Sequence, residues 1–434
     1  LKIVVIGGGS SYTPELVGGI LEHHRSFPVS QICLVDVTDG AAKQEAVAGF
    51  CRRMIRKAGL EGKISLTATL DRRAALPGAA FVISQFRAGG MAAREKDELL
   101  PLPHGIVGQE TTGPGGFAAA LRHIPAALEL AADMERLCPE AFLINFTNPS
   151  GIVTEALQRR SRVKCIGLCN IPLTMQRVLA AILNVAPERL ELAFTGLNHL
   201  SFVTRVLLDG RDVTAEILSA PETALFWIGD FPEIGLEEAR HLLRALGALP
   251  SPYLLYYYFP RQTFAAAKRR AEEGKNRARE VMAIEEELFQ LYRDPQVDEK
   301  PALLSRRGGA FYSEAAVSLM RALCGGGPAR QVLNVQNGSA IPDLPPEAVI
   351  ETNCLIEGGA IRPFSPGPLP AAFRGLVQQV KAYEQLTVEA AVKGDKGAAY
   401  LALLNHPLVG GADRVRALLD NILRENAPWL PQFG

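Results

Sequence analysis

Two hydrophobic periods alternate along this chain, and their alternation sets the expected fold class. A strand-like run, Lys2-Ile3-Val4-Val5-Ile6, gives way at once to a glycine turn, Gly7-Gly8-Gly9-Ser10, and then to Leu16, Ile20 and Leu21 at helical spacing. Further strand-like runs stand at 31–35, 81–84, 141–146 and 163–168, with long helical patterns between the later ones. Short buried strands alternating with helices predict an α/β fold with a Rossmann-like, doubly wound parallel sheet at its N-terminal end. Ligands of such sheets collect beyond the carboxyl ends of the strands. Gln85-Phe86-Arg87, Thr147-Asn148-Pro149 and Cys169-Asn170 stand at those ends and are expected to face one crevice.

The later part of the chain reads as an interleaved α+β unit. A strand at 190–195 leads to Gly196-Leu197-Asn198-His199, and the region from about 220 to 300 is mostly helical, with an aromatic cluster at Tyr253, Tyr256, Tyr257 and Tyr258. Runs at 331–338 and 348–352 predict a small second sheet, and helices follow from about 373 to 426. We expect a division into residues 1–168, binding a dinucleotide, and residues 169–434, serving substrate, metal and oligomerisation. The segment 100–116 is so rich in Gly and Pro that it is expected to be a loop without regular structure, closing over the ligand, with Arg94 just upstream as an anchor.

Composition narrows the partners. Lys plus Arg and Asp plus Glu balance at 46 each, so the chain lacks the electrostatic footprint of a nucleic-acid or membrane-surface binder, and a small molecule is expected. Seven cysteines scattered over 434 residues do not form a secreted disulfide framework. With a strand at the very start and no apolar segment long enough to span a bilayer, the expected location is the cytoplasm.

The candidate chemistry sits at the strand ends. The first turn lets backbone approach a pyrophosphate through Gly7, Gly9, Ser10 and Ser11, although position 12 is Tyr where a third glycine is usual. Asp36 closes the second strand at the distance where an acidic residue takes the ribose hydroxyls, and it repels a 2′-phosphate, so NAD is expected rather than NADP. Cys169 stands at a strand-to-helix corner whose positive potential favours thiolate, a metal ligand or nucleophile; a small buried apolar cysteine is the alternative. His199 is the second metal-ligand candidate, and two protein ligands would leave a metal open to substrate. Arg277 lies in a charged run that by itself reads as a solvated helical face.

Taken together, Gly7-Gly8-Gly9-Ser10, Gly108-Gln109-Glu110-Thr111-Thr112-Gly113-Pro114-Gly115-Gly116, Asn145-Phe146-Thr147-Asn148-Pro149, Cys169-Asn170-Ile171-Pro172, Asn198-His199 and Arg307-Gly308-Gly309-Ala310-Phe311-Tyr312-Ser313-Glu314 resemble glycoside hydrolase family four, the NAD- and manganese-dependent glycosidases. The Cys-Asn-Ile-Pro form is similar to the branch acting on 6-phospho-β-glucosides. The resemblance implies a fold similar to that of lactate and malate dehydrogenases, a homodimer or homotetramer, and a phosphorylated disaccharide or aryl glucoside as substrate. It makes Cys169 and His199 metal ligands, Tyr253 the catalytic base, and Asn170 a catalytic and substrate contact. It also makes Asn148 a contact to substrate hydroxyls and cofactor, and has Arg94 and Arg277 hold the sugar and its phosphate.

What the resemblance implies chemically is oxidation at carbon 3 by NAD, loss of the carbon 2 proton to a base, departure of the aglycone from carbon 1, addition of water, and return of the hydride. A tyrosine base has an unperturbed pKa near ~10, so action near neutrality needs about 4 kcal/mol of phenolate stabilisation, expected from the metal and an arginine. A 2-hydroxy-acid dehydrogenase and a non-catalytic NAD-binding sensor are the rival readings of the same motifs.

Overall fold

The strand-like runs at the front of the chain form β1 (Lys2–Ile6), β2 (Gln31–Val35), β4 (Phe81–Ser84), β5 (Phe142–Asn145) and β6 (Lys164–Gly167), joined by β3 (Ser65–Thr69), which the pattern did not predict, in a computed structural model that describes every residue except Asp230, Gly309 and Ala310. They pair in parallel in the spatial order β3-β2-β1-β4-β5-β6. Alternate residues of β1, β2, β4, β5 and β6 feed two cores. Ile3, Val5, Ile32, Leu34 and Ile83 pack on one face with Leu16 and Val47, while Val4, Val35, Val82 and Leu143 pack on the other with Phe117 and Ile152. Burial on both faces is why these strands read as continuous apolar runs.

The later strands are β7 (Leu190–Leu197), β8 (Leu200–Leu208), β9 (Arg211–Asp212), β10 (Leu249–Pro250), β11 (Ala329–Gln336), β12 (Val349–Glu357) and β13 (Ala360–Pro363). The expectation that 331–338 and 348–352 form a separate small sheet is not met. β11 joins β6 antiparallel through Asn334 and Gly167, so that β11, β12 and β13 extend the parallel sheet to nine strands. A side chain at Gly167 would prevent this, because its Cβ would lie 2.7 Å from that of Asn334. The smaller sheet is built instead from β7, β8, β9 and β10.

The glycine-rich segment is also more ordered than expected. Its end is the start of a 25-residue helix, Gly113–Leu137, with Pro114 in the first turn. Glycine in a helix ordinarily costs about 1 kcal/mol relative to Ala. Here close approach demands it: a Cβ on Gly115 would lie 2.2 Å from the carbonyl oxygen of Gln109, and one on Gly116 would lie 2.5 Å from the Thr111 carbonyl. The expected C-terminal helices are Ala371–Lys393, Lys396–Asn405 and Ala412–Asn426. Among the described residues, no helix is long and apolar enough to cross a membrane.

Candidate active site

The carboxyl ends of β1, β2, β4, β5 and β6 open on a single cleft of about 1630 Å³, lined by Gly9, Asp36, Gln85, Asn148, Asn170 and Tyr253 among others. Small-molecule sites run to roughly 300–1,000 Å³, so this one has room for a dinucleotide and a second ligand together.

At one end, β1 turns through Gly7 at φ +82°, and a Cβ there would lie 2.9 Å from the backbone of Phe86. The amides of Gly7 and Gly8 donate to the carbonyl of Val35, and that of Gly9 donates to Asp36 Oδ2 at 2.7 Å. The turn thus ties the first strand to the acidic residue at the end of the second, leaving a bare backbone cradle before the helix Thr13–Glu22. Tyr12, in place of the third glycine, is buried edge-on to Tyr312, with the Arg307 guanidinium over its ring. The Ser11 hydroxyl is committed within the protein: it donates to Glu285 at 2.8 Å and accepts from Arg307 Nε at 2.6 Å. The cradle and Asp36 fit a dinucleotide.

Deeper in the cleft, Cys169 follows the end of β6 by two residues, and Pro172 lies in the first turn of the helix Ile171–Ile182, as the sequence predicts. His199 sits at the tip of the β7–β8 hairpin with φ +63°. The hairpin brings its Nε2 to 3.6 Å from Cys169 Sγ. One ion bonded, with zinc's bond lengths, to sulfur at about 2.3 Å and to nitrogen at about 2.0 Å in tetrahedral geometry spans about 3.5 Å, close to the separation found, so the pair fits a single divalent metal. Among the described residues no group of three or more His, Cys, Asp or Glu is placed to hold an ion, so further ligands would come from substrate or solvent.

Beside the pair, Glu351 of β12 accepts from Asn198 Nδ2 at 2.9 Å and from Ser201 Oγ at 2.8 Å, fixing the hairpin from below. The Tyr253 ring stacks on the His199 imidazole, with centroids 3.9 Å apart and planes 19° apart. Of the clustered tyrosines, Tyr253 and Tyr256 line the cleft, whereas the Tyr257 hydroxyl is 3.3 Å from His406 Nε2.

The charges around Arg94 are paired. Arg94 is 8 % exposed and lies 2.9 Å from Glu98 and 3.2 Å from Glu110, which also meets Arg87 at 2.8 Å. Glu98 accepts from the Ala278 amide, linking this cluster to the start of the helix Arg277–Arg293. Arg277 lines the cleft, donates to the carbonyls of Arg306 and Arg307 at 3.1 Å, and lies 3.2 Å from Glu280.

Residues 2–185 match the model of the family 4 glycosyl hydrolases, and residues 194–409 match that of the family 4 glycosyl hydrolase C-terminal domain. The chain belongs to this family. It is 43% identical over 437 residues to the probable 6-phospho-beta-glucosidase of Bacillus subtilis, covering 100% of this chain and 98% of that protein. Its identity to the 6-phospho-beta-glucosidase of Escherichia coli is 38%, covering 100% and 97%. The crystal structure of the 6-phospho-beta glucosidase from Thermotoga maritima with NAD and glucose-6-phosphate superposes with a TM-score of 0.88 at 36% identity, covering 99% of each chain. A second crystal structure of that enzyme contains manganese, NAD+ and glucose-6-phosphate. Malate dehydrogenase from Plasmodium falciparum, with a TM-score of 0.56 at 13% identity, and lactate dehydrogenase from Eimeria maxima, with 0.51 at 15%, share the fold.

In this family 4 glycosyl hydrolase the protonation expected of the chemical groups is partly reversed. Burial, reinforced by the Glu351 carboxylate, pushes the Cys169 thiol up to about 12, outweighing the Ile171 amide and Asn198 that favour thiolate. The helix terminus alone therefore does not activate the thiol, and a metal would have to displace its proton. Burial brings His199 down to about 4 and keeps its imidazole neutral. Burial and the neighbouring Cys169 and Glu110 raise the Tyr253 phenol above its ordinary value, Arg94 opposing them. Burial alone would raise Glu110, but Arg87 and Arg94 hold its carboxyl below the ordinary range.

Sequence reasoning placed Arg87 at a strand end facing the cleft but missed Glu98, Glu110 and Glu351 as members of this site. Glu110 stands inside a glycine-rich motif, and Glu351 directly follows the apolar Val349-Ile350 in a strand-like run, which are the two signals the sequence offered. Gly309 and Ala310, part of the motif beginning at Arg307, lie outside the described residues.

Proposed function

We propose that the protein hydrolyses 6-phospho-β-glucosides, phosphorylated disaccharides or aryl glucosides, to glucose 6-phosphate and the aglycone, using NAD and a divalent metal, manganese best. The observation that carries this reading is the Cys169–His199 pair, 3.6 Å apart beneath Tyr253, on the same cleft as the Gly7–Asp36 cradle. A plain dehydrogenase would leave that pair without a task. Relatives and solved structures named for 6-phospho-β-glucosidase support the substrate class.

When bound, NAD supplies reversible hydride abstraction and the metal supplies electrophilic polarisation of the sugar oxygens. The residues do the rest. Gly7, Gly9 and Ser10 cradle the pyrophosphate, and Asp36 takes the ribose hydroxyls. Cys169 and His199 hold the metal. Asn148 and Asn170 orient the sugar hydroxyls at the strand ends, Arg94 supports the sugar from its paired cluster, and Arg277 holds the phosphate.

Once carbon 3 is a ketone, the carbon 2 proton is acidified, and the Tyr253 phenolate removes it while the aglycone leaves. Because burial holds the phenol protonated, the chain alone does not prepare this base, and a cation at Cys169 and His199 would supply the missing stabilisation. Assaying an aryl 6-phospho-β-glucoside with NAD, manganese and a thiol reductant, against lactate and malate, tests the reading. Oxidation of the hydroxy acids without glycoside cleavage would overturn it.

A further inference from the structure

Burial leaves most carboxylates of this protein beside a cation. Asp97 meets Arg122, Glu98 meets Arg94, Asp133 meets Arg72, Glu285 meets Arg307, and Glu155 and Glu384 share Lys381. Glu351 is the exception. It is 1 % exposed, and among the described residues it forms no ion pair; its partners are the neutral side chains of Asn198, Ser201 and, at 3.5 Å, Asn334. A buried carboxylate without a cation is costly, because hydrogen bonds from neutral groups replace only part of the hydration it loses. We infer that Glu351 is the counter-charge of the ion held by Cys169 and His199, a positioning residue that acts on the metal through Asn198 without ligating it, a reading that rests on the metal site of the proposed function.

The fold brings the carboxylate to that site from two sides. Glu351 faces Asn334 across β12 and β11, and Asn334 faces Gly167, the last residue of β6 and two before Cys169. On the other side Asn198, next to His199, donates to Glu351 at 2.9 Å, and its side chain also hydrogen-bonds the Cys169 sulfur. The charge of Glu351 is felt at that sulfur, where it helps to raise the thiol's pKa. Yet Glu351 does not complete a three-residue ligand set with Cys169 and His199. It stands behind the ligands rather than among them.

A dication held by one thiolate and one neutral imidazole retains one positive charge, in a place walled by protein where charge is poorly screened. Glu110 does not cancel that charge, since Arg87 and Arg94 already claim it. The Tyr253 phenol, which burial holds protonated, adds none in the resting enzyme. Glu351 supplies the missing unit, and a bound ion gives the carboxylate the cation that the fold withholds.

Manganese titrated into the metal-free full-length protein, with the free ion followed by electron paramagnetic resonance, tests the inference beside a thermal melt without metal. Glu351→Gln keeps the shape, its oxygen able to accept from Asn198 and its amide able to donate to Ser201, but removes the charge. Glu351→Asp keeps the charge and shortens the reach. The expected result is a manganese affinity weakened about tenfold in Glu351→Gln, the scale for a partner behind a metal ligand, with no fall in the metal-free Tm and a smaller loss in Glu351→Asp. Unchanged affinity in Glu351→Gln, a larger loss in Glu351→Asp, or a loss in Glu351→Gln accompanied by a lowered metal-free Tm would each make Glu351 a structural support of the hairpin. Any of these would overturn the inference while leaving the proposed function intact. Absence of manganese binding by the unaltered protein would overturn the metal site of the proposed function and the inference with it.

Discussion

Cys169 and His199 come within 3.6 Å of each other although thirty residues separate them, because one stands just beyond the end of β6 and the β7–β8 hairpin turns at the other. Neither residue forms a local motif, yet two rigid elements aim both donors at one point. The predicted consequence is that activity needs added divalent metal and ceases on exhaustive chelation. Cys169→Ser is expected to weaken manganese affinity at least about tenfold, measured by direct titration of the apoprotein, since even an outer partner of a metal ligand is worth 10–100-fold. Unchanged affinity in the variant would place the ligand elsewhere.

Arg277 offers a second prediction. Its guanidinium is partly exposed, bonded to two backbone carbonyls and a half-exposed carboxylate, so it is held in place on the cleft without being fully neutralised. Charge-assisted hydrogen bonds are worth about 1.5–3 kcal/mol. Arg277→Ala is therefore expected to raise KM for the phosphorylated glucoside roughly 10- to 100-fold, with a far smaller effect on an unphosphorylated one. Equal losses on the two substrates would make the residue structural.

Packing at the glycine-rich motif gives a third. Gly115 lies where a Cβ would stand 2.2 Å from the Gln109 oxygen and 2.6 Å from the Asp97 oxygen, both backbone atoms that cannot rotate away. Gly115→Ala is expected to lower stability by about 1–3 kcal/mol, the usual cost of overpacking, despite Ala's better helix propensity. A thermal melt with an unchanged or raised Tm would show that the segment has room to yield.

How much of this was legible in the sequence depends on how local each signal is. The parallel strands other than the half-exposed β3, the turn at Gly7 and the acidic end at Asp36 were readable, since burial on both faces and tight turns leave marks within a few residues. The placement of β11 was not, because it depends on Gly167 accepting the approach of Asn334 from far along the chain. The helix beginning at Gly113 was masked by glycines that serve close packing rather than a loop. The carboxylates failed for a related reason. Glu110 between Arg87 and Arg94, and Glu351 beneath Asn198 and Ser201, have roles defined by partners on other elements. The raised thiol of Cys169 is the same lesson in energy: a corner predicts positive potential, but only the assembled core shows how deeply the group is desolvated.

The last prediction separates elimination from a route through two carboxylates. If Tyr253 takes the carbon 2 proton, that proton exchanges with solvent before the double bond is rehydrated. Reaction in deuterium oxide should then return glucose 6-phosphate labelled at carbon 2, whereas an oxocarbenium route leaves carbon 2 untouched. Tyr253→Phe keeps the ring that stacks on His199 at 3.9 Å, so metal and NAD affinities should stay within about twofold while turnover falls at least about 100-fold for want of a proton acceptor. Mass spectrometry of the product and titration of the variant read the two halves separately. Unlabelled product from the unaltered enzyme would exclude elimination. Labelled product together with an active Tyr253→Phe variant would keep elimination and move the base, with Tyr256, the other clustered tyrosine lining the cleft, next to be replaced.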